Sequence, residues 1–399
     1  MATVEGLPVN APGLGPGKST EEERLPPNVK PKKAKDKTGG AQSRFSLRMT
    51  AGWWRSLQCI GMGLHFLAPP RPPNPDFVRS VPSTLATKKG EFKIQVYLPA
   101  GYKKSDKKTR WPAVINYHGG GFTLGHASDD ARFARFVTER ARAIFVSVDY
   151  RLAPEHPFPT AVDDGADALI YVIKNASELR IDTMKLATSG FSAGGNIAIT
   201  APMRLNYFGK TISIPEHKII ATVTWYPITD YTLSRAERRA TALKPEHTLP
   251  PTLTNLFDAS YLFPPDLNLA DPYLSPNKAS DELLGESLPP YIFFYTCEWD
   301  MLLREGEALA RRLEQPPIGK TVFYTTIPEV PHGWDKGPNP VKPPPKSEKL
   351  YAECCKRLRR VFAGEDPRFP SEGHKTVPPP RSRPQSPETK EPDSAENST

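Results

Sequence analysis

Residues 186–205 read LATSGFSAGGNIAITAPMRL, and the fold turns on how this stretch is read. Leu186–Thr188 has the composition of a short strand, and Ala193–Leu205 reads as a helix. Between them, Gly190-Phe191-Ser192-Ala193-Gly194 must turn the chain sharply from one to the other. Glycines at 190 and 194 fit such a turn because side chains there would strike the neighbouring strand and helix. The turn exposes the Ser192 hydroxyl, and the helix after it aims the positive end of its dipole at any charge that develops there.

Outward from this point, β-branched and aromatic runs alternate with helical patterns. Strands are expected at Phe92–Leu98, Ala113–Tyr117, Ala143–Val148, Ile219–Trp225, Tyr291–Tyr295 and Thr321–Thr326. Helices are expected at Asp129–Arg140, Thr160–Asn175, Met301–Leu313 and Glu348–Phe362. This alternation predicts an α/β fold with a mostly parallel central sheet flanked by helices. Active residues in such sheets gather at the carboxyl ends of the strands. From about 230 to 288 the alternation lapses into a proline-interrupted stretch, which reads as a cap insertion.

A serine hydroxyl is a poor nucleophile until a base removes its proton. His332, in Val330-Pro331-His332-Gly333-Trp334, follows the last strand and is the expected base. Asp300, just beyond the strand Tyr291–Tyr295, is the first choice for the acid that orients it, with Asp230 and then Glu298 behind. Attack on a carbonyl creates an oxyanion that backbone N–H groups must meet. His118-Gly119-Gly120-Gly121 follows a strand, and Gly120 and Gly121 are the expected donors together with Ala193. His118, Gly119, Gly190 and Gly194 support the two turns. A phosphate loop is excluded because no Gly-Lys-Ser/Thr follows the glycines.

The 399 residues carry a formal net charge of +9 and 46 prolines. Much of the basic excess lies in residues 1–48, at Lys30, Lys32, Lys33, Lys35, Lys37, Arg44 and Arg48, bracketed by prolines and glycines. That segment is expected to be a disordered arm, and the proline-rich residues 366–399 a disordered tail. Residues 49–75 are expected to form an N-terminal cap helix region, and residues 76–365 the catalytic domain. Within the cap region, residues 51–68 read AGWWRSLQCIGMGLHFLA, interrupted by Arg55, Gln58 and His65. This is too broken to span a bilayer, which needs about 20 apolar residues. It either covers the active site or lies peripherally on a membrane.

No zinc-finger, RNP-like or basic-zipper pattern points to nucleic acid. Cys59, Cys297, Cys354 and Cys355 have neither metal-ligand nor disulfide spacing, so reduced thiols and a cytoplasmic location are expected. The first fifty residues lack the apolar run of a secretory signal.

Further segments extend the pattern: YRLAPEHPFP at 150–159, DPYLSP at 271–276, Asp300-Met301-Leu302 with Arg304-Glu305-Gly306, and His332-Gly333-Trp334. With the serine and glycine motifs, they make about residues 80–363 resemble the hormone-sensitive-lipase-like branch of the α/β-hydrolases. The resemblance implies an α/β-hydrolase fold with a helical cap. It also implies a serine carboxylic-ester hydrolase that needs no metal or cofactor and passes through an acyl-serine intermediate. Phe191 stands where that family usually has a small or acidic residue, and Arg304 replaces an acidic one.

Phe122, Phe191, Trp53, Trp54, Trp299 and Trp334 are candidates to wall a pocket for a small to medium, apolar ester. The same three residues could instead transfer the acyl group to another acceptor or open a lactone. A noncatalytic ligand receptor on the same scaffold is the remaining alternative, although such receptors typically lose the histidine retained here as His332.

Overall fold

The computed structural model describes residues 43–368. Its strands are β1 Phe77–Ser83, β2 Gly90–Tyr97, β3 Trp111–Tyr117, β4 Ile144–Asp149, β5 Ile181–Phe191, β6 Ile219–Trp225, β7 Tyr291–Cys297 and β8 Thr321–Ile327. The first helices are α1 Arg44–Leu67, α2 Ala131–Phe136, α3 Thr160–Lys174, α4 Ala176–Leu179 and α5 Ala193–Gly209. They are followed by α6 Arg235–Ala240, α7 Pro251–Tyr261, α8 Asp281–Ser287, α9 Leu303–Glu314 and α10 Ser347–Ala363.

All eight strands join one sheet in the order β1-β2-β4-β3-β5-β6-β7-β8. β2 runs antiparallel to both its neighbours, and the remaining pairs are parallel. The parallel strands are apolar along most of their length because helices cover both faces. Alternate residues serve opposite sides: Ala113, Ile115 and Tyr117 of β3 pack with α3 and α5, whereas Val114 packs with α2 and α10. β7 does the same, sending Ile292 and Phe294 toward α5 and α9 and Phe293 and Tyr295 toward α10. The structure is therefore an α/β-hydrolase fold.

Three expectations need correction. β1 was not foreseen, because FVRSVPS mixes Arg, Ser and Pro into an edge strand that β2 alone holds in register. The helix expected over Asp129–Arg140 is broken: a 3-10 turn at Ala127–Asp130, α2 and a π turn at Val137–Ala141 follow one another. α1 starts at Arg44, capped by the Ser43 side chain on Ser46 N–H, so Arg44 and Arg48 belong to this helix and not to an arm. The rest of the expected arm, residues 1–42, and residues 369–399 of the tail lie outside the described residues.

Buried polar contacts fasten α1 to the body. Leu47, Ala51, Met62 and His65 are buried on its inner face, and burying a side chain such as Leu47 contributes about 1.5–3 kcal/mol. Arg132 donates to the carbonyls of His65 and Ala68 at 2.6 and 2.8 Å and to His65 Nε2 at 3.0 Å. Burial, with the Lys336 and Arg132 cations nearby, holds the His65 imidazole down to about 4. Neutral His65 can then accept from Arg132 while its Nδ1 lies 3.1 Å from the Gly337 carbonyl. In the inserted segment, α6 is anchored by the buried Arg238–Glu305 pair at 2.6 Å. Among the described residues no helix is long and apolar enough to cross a membrane.

Candidate active site

The sheet register brings the loops together before any side chain is considered. Tyr117 of β3 lies opposite Gly190 of β5, so the His118–Gly121 run emerges beside the Ser192 turn. Cys297 of β7 lies opposite Ile327 of β8, so the loops that carry Asp300 and His332 also leave the sheet side by side. Three backbone bonds tie elements here: Glu298 N–H to Ile327 O at 3.0 Å, Trp299 N–H to Val330 O at 3.1 Å and Ser192 N–H to Trp225 O at 2.8 Å.

Ser192 sits at φ 54°, ψ −115°, a conformation that a non-glycine residue adopts only under strain of order 1–3 kcal/mol. Close packing on both sides enforces it. A Cβ on Gly194 would lie 1.9 Å from the Tyr117 carbonyl oxygen, and one on Gly190 would lie 2.0 Å from that of Gly194. From this turn Ser192 Oγ reaches His332 Nε2 at 2.8 Å, and His332 Nδ1 meets Asp300 Oδ2 at 2.6 Å. The other Asp300 oxygen accepts the Leu302 N–H at 3.1 Å. Asp300 is 1% exposed, so the pair is shielded from water.

The other acids considered lie elsewhere. Asp230 binds Lys278 at 3.1 Å and the Thr232 N–H at 2.9 Å, and Glu298 accepts the Glu329 N–H at 2.7 Å. Arg304, more than half exposed, pairs outward with Glu307 at 3.0 Å.

The glycine run borders the same cavity. Gly120 (φ +115°) and Gly121 (φ +59°) have backbone angles that disfavour side chains, and Gly120 O accepts from Thr123 and Leu124 N–H at 3.1 and 2.8 Å. Ala193 opens α5, so its N–H has no acceptor within the helix. His118 lies beneath the loop, stacked on Tyr150 at 4.2 Å, with Nδ1 2.7 Å from the Gly119 carbonyl oxygen. Burial holds its imidazole below the usual range.

The cavity beside Ser192 has a volume of about 160 Å³. Of the aromatic candidates, Phe191 lines it, stacked on Trp225 at 5.7 Å with Lys336 Nζ 3.9 Å from its ring centre. The others do not line it, and each has a physical reason. Phe122 is fully buried against Tyr261, 3.8 Å away and nearly parallel. Trp53 points outward from α1 with Trp54 edge-on at 5.1 Å, while Gln58 and Met62, one helical turn apart, take the inner positions. Trp299 stacks on His247 at 4.9 Å, and Trp334 packs into the core beside α10.

Met62 of α1, expected to face substrate or core, borders the cavity, whereas sequence reading missed Gln58, Asp129, Asp130, Tyr226, Leu249, Phe257 and Lys336, which border it too. Tyr226 had a usable signal, because it directly follows β6 at its carboxyl end. Its hydroxyl and that of Tyr351 both donate to Asp335, and its ring lies edge-on 4.9 Å from His332. Burial raises the Asp335 carboxyl, but the Lys336 ammonium and the two hydroxyls outweigh it and hold the group below the usual carboxylate range. Lys336 also reaches Asp130 at 2.7 Å, and burial with Asp130 close by raises Asp129 to about 7.

The comparisons with known proteins agree with this architecture. A family model described as alpha/beta hydrolase fold matches residues 114–336. Carboxylesterase NlhH of Mycobacterium tuberculosis is 35% identical over 245 residues, 61% of this chain and 71% of that one. An AB hydrolase superfamily protein of Schizosaccharomyces pombe is 31% identical over 53% of this chain, which spans 60% of that protein's length. The esterase structure from Pyrobaculum calidifontis is 28% identical with a TM-score of 0.63, covering 79% of this chain and 93% of that one. The chain belongs to the α/β-hydrolase family, in its hormone-sensitive-lipase-like branch of carboxylesterase-type hydrolases.

Proposed function

We propose that this hydrolase cleaves small to medium apolar carboxylic esters through an acyl-enzyme formed on Ser192. The observation that carries the reading is the continuous hydrogen-bonded chain from Asp300 through His332 to Ser192. Ser192 Oγ attacks the ester carbonyl carbon while His332 Nε2 takes its proton. Asp300 keeps the other imidazole nitrogen protonated and stabilises the imidazolium. The carbonyl oxygen, now anionic, is met by the N–H groups of Gly120, Gly121 and Ala193, each worth about 2.7–4 kcal/mol in the transition state.

When the tetrahedral adduct collapses, the bond to the alcohol oxygen breaks and His332 returns the proton to that leaving group. Water then attacks the acyl-serine with His332 again as base, releasing the acid and restoring Ser192. Met62, Leu249, Phe257 and Phe191 give the cavity an apolar lining, which favours an apolar ester.

A fluorophosphonate should label the wild-type chain and leave Ser192→Ala unlabelled, with a burst of nitrophenol from short nitrophenyl esters in the wild type alone. His332→Ala should lower kcat by about 10⁴-fold or more. Equal labelling of both chains rejects Ser192 as nucleophile, and an unchanged rate rejects His332 as base.

A further inference from the structure

The outer face of α1 carries a continuous apolar stripe. Phe45, Met49, Trp53, Leu57, Ile60, Leu64 and Leu67 are all exposed, Phe45 at 70%, Met49 and Ile60 at 63%. Their spacings of three and four residues, at about 100° per residue, place them in an arc of roughly 120° that runs the length of the helix. The opposite arc holds the buried Leu47, Ala51, Met62 and His65. The helix is thus apolar on two faces, and the body of the enzyme uses one of them.

Charge indicates what the second face meets. α1 contains no Asp or Glu, and Arg48 is exposed beside the stripe. In the sequence just before it stand Lys30, Lys32, Lys33, Lys35 and Lys37, with Asp36 as the lone acid among them. An apolar helix face preceded in the sequence by a cluster of cations supplies the two components that hold a protein on an anionic bilayer, each too weak alone. A second copy of the chain carries the same excess of cations, and like charge opposes its pairing with this one.

We propose that the outer face of α1 docks on an anionic lipid surface, with the helix lying in the plane of the interface. The inner face of the same helix lines the Ser192 cavity through Gln58 and Met62, so docking sets that wall of the cavity against the lipid. The docking itself does not depend on which residue is the nucleophile.

The test is flotation of the full chain with phosphatidylcholine vesicles that contain about one third phosphatidylserine, near the composition of a cytoplasmic leaflet. Pure phosphatidylcholine vesicles form the second arm. The wild type should float with the anionic vesicles and remain behind with the neutral ones. The variant Met49→Ser/Ile60→Ser/Leu64→Ser should bind the anionic vesicles at least about tenfold less, with hydrolysis of a water-soluble nitrophenyl ester unchanged. Fluorescence gives an independent readout: the anionic vesicles should shift the wild-type emission to the blue, and Trp53→Phe should abolish most of that shift.

Wild type that does not float, a triple variant that floats equally well, or equal binding to neutral vesicles overturns the proposal. So does a wild-type dimer that the triple variant converts to monomer while neither floats, because a second copy then covers the face.

Discussion

Replacing Lys336 by methionine keeps a chain of similar length over the Phe191 ring and removes the ammonium that lies 2.7 Å from Asp130 Oδ1 and 3.4 Å from Asp335 Oδ2. Asp130 is fully buried, and its other oxygen accepts the Asn116 side chain at 2.7 Å. Without the cation, Asp130 Oδ1 is left buried with no neighbouring cation to offset it, and the Asp129 carboxyl lies close by. Breaking one side of a buried pair typically costs about 3–5 kcal/mol, and because Lys336 is one-fifth exposed a loss of about 3 kcal/mol is expected. At this chain length that corresponds to a fall in Tm of roughly 4–5 °C.

The pH dependence is set by both partners. Asp335 lies below the usual carboxylate range, so its stabilisation is present above the unfolded carboxyl value and lost as pH falls through its folded one. Burial lowers Lys336, but Asp130 and Asp335 outweigh it and raise the ammonium above the usual lysine range. Its contribution is therefore complete below the unfolded lysine value, about 10.4, and disappears above the folded one. The stability gap between wild type and Lys336→Met should be widest from about pH 5 to pH 10 and should close in acid and in strong alkali. Thermal unfolding followed by circular dichroism across that range measures it. A variant that melts within about 1 °C of wild type at pH 7, or a gap independent of pH, refutes the reasoning.

Two further substitutions probe the same region. Gly194→Ala sets a methyl 1.9 Å from the Tyr117 carbonyl oxygen and 2.5 Å from that of His118; it should cost at least about 3 kcal/mol, seen as loss of soluble protein or a much lower Tm, and a near-normal Tm would contradict the packing described. Asp129→Asn should flatten the pH profile. With Asp129 raised to about 7 in the folded chain, wild-type stability falls as pH climbs from about 4 to 7, at about 1.4 kcal/mol per pH unit at most. The asparagine Oδ1 can still accept from Gln58 and from His126 N–H, so the variant should gain on wild type between pH 5 and 8. Parallel profiles would show that Asp129 does not titrate in that window.

The parts of the molecule readable in advance were those governed by local chemistry. The glycines around Ser192 are demanded by backbone collisions, and strand order and loop position singled out His332 and Asp300, which the structure brings within hydrogen-bond distance of each other. What escaped depended on direction in three dimensions. Trp53 and Met62 both lie on α1, and their apolar character does not reveal that one faces water while the other faces the cavity. Lys336 drew no notice because Asp130, the buried carboxylate 2.7 Å from it, lies about two hundred residues earlier in the sequence. β1 was hidden for a different reason: an edge strand has one neighbour to satisfy and tolerates Pro82 and Arg79.

The tether between roof and floor has a consequence for which esters can be admitted. Gln58 of α1 accepts the Gly125 N–H and donates to Asp129, each at 2.8 Å, while Arg55 donates to the Thr123 and Ala153 carbonyls at 2.9 and 2.8 Å. Raising the helix to make room would pull on the loop whose N–H groups are to receive the oxyanion. On the proposed function, width and catalytic competence are mechanically opposed: a long, thin ester should be cleaved faster than a thick one of equal carbon number, because only the thick one has to lift α1 from the loop it is tied to.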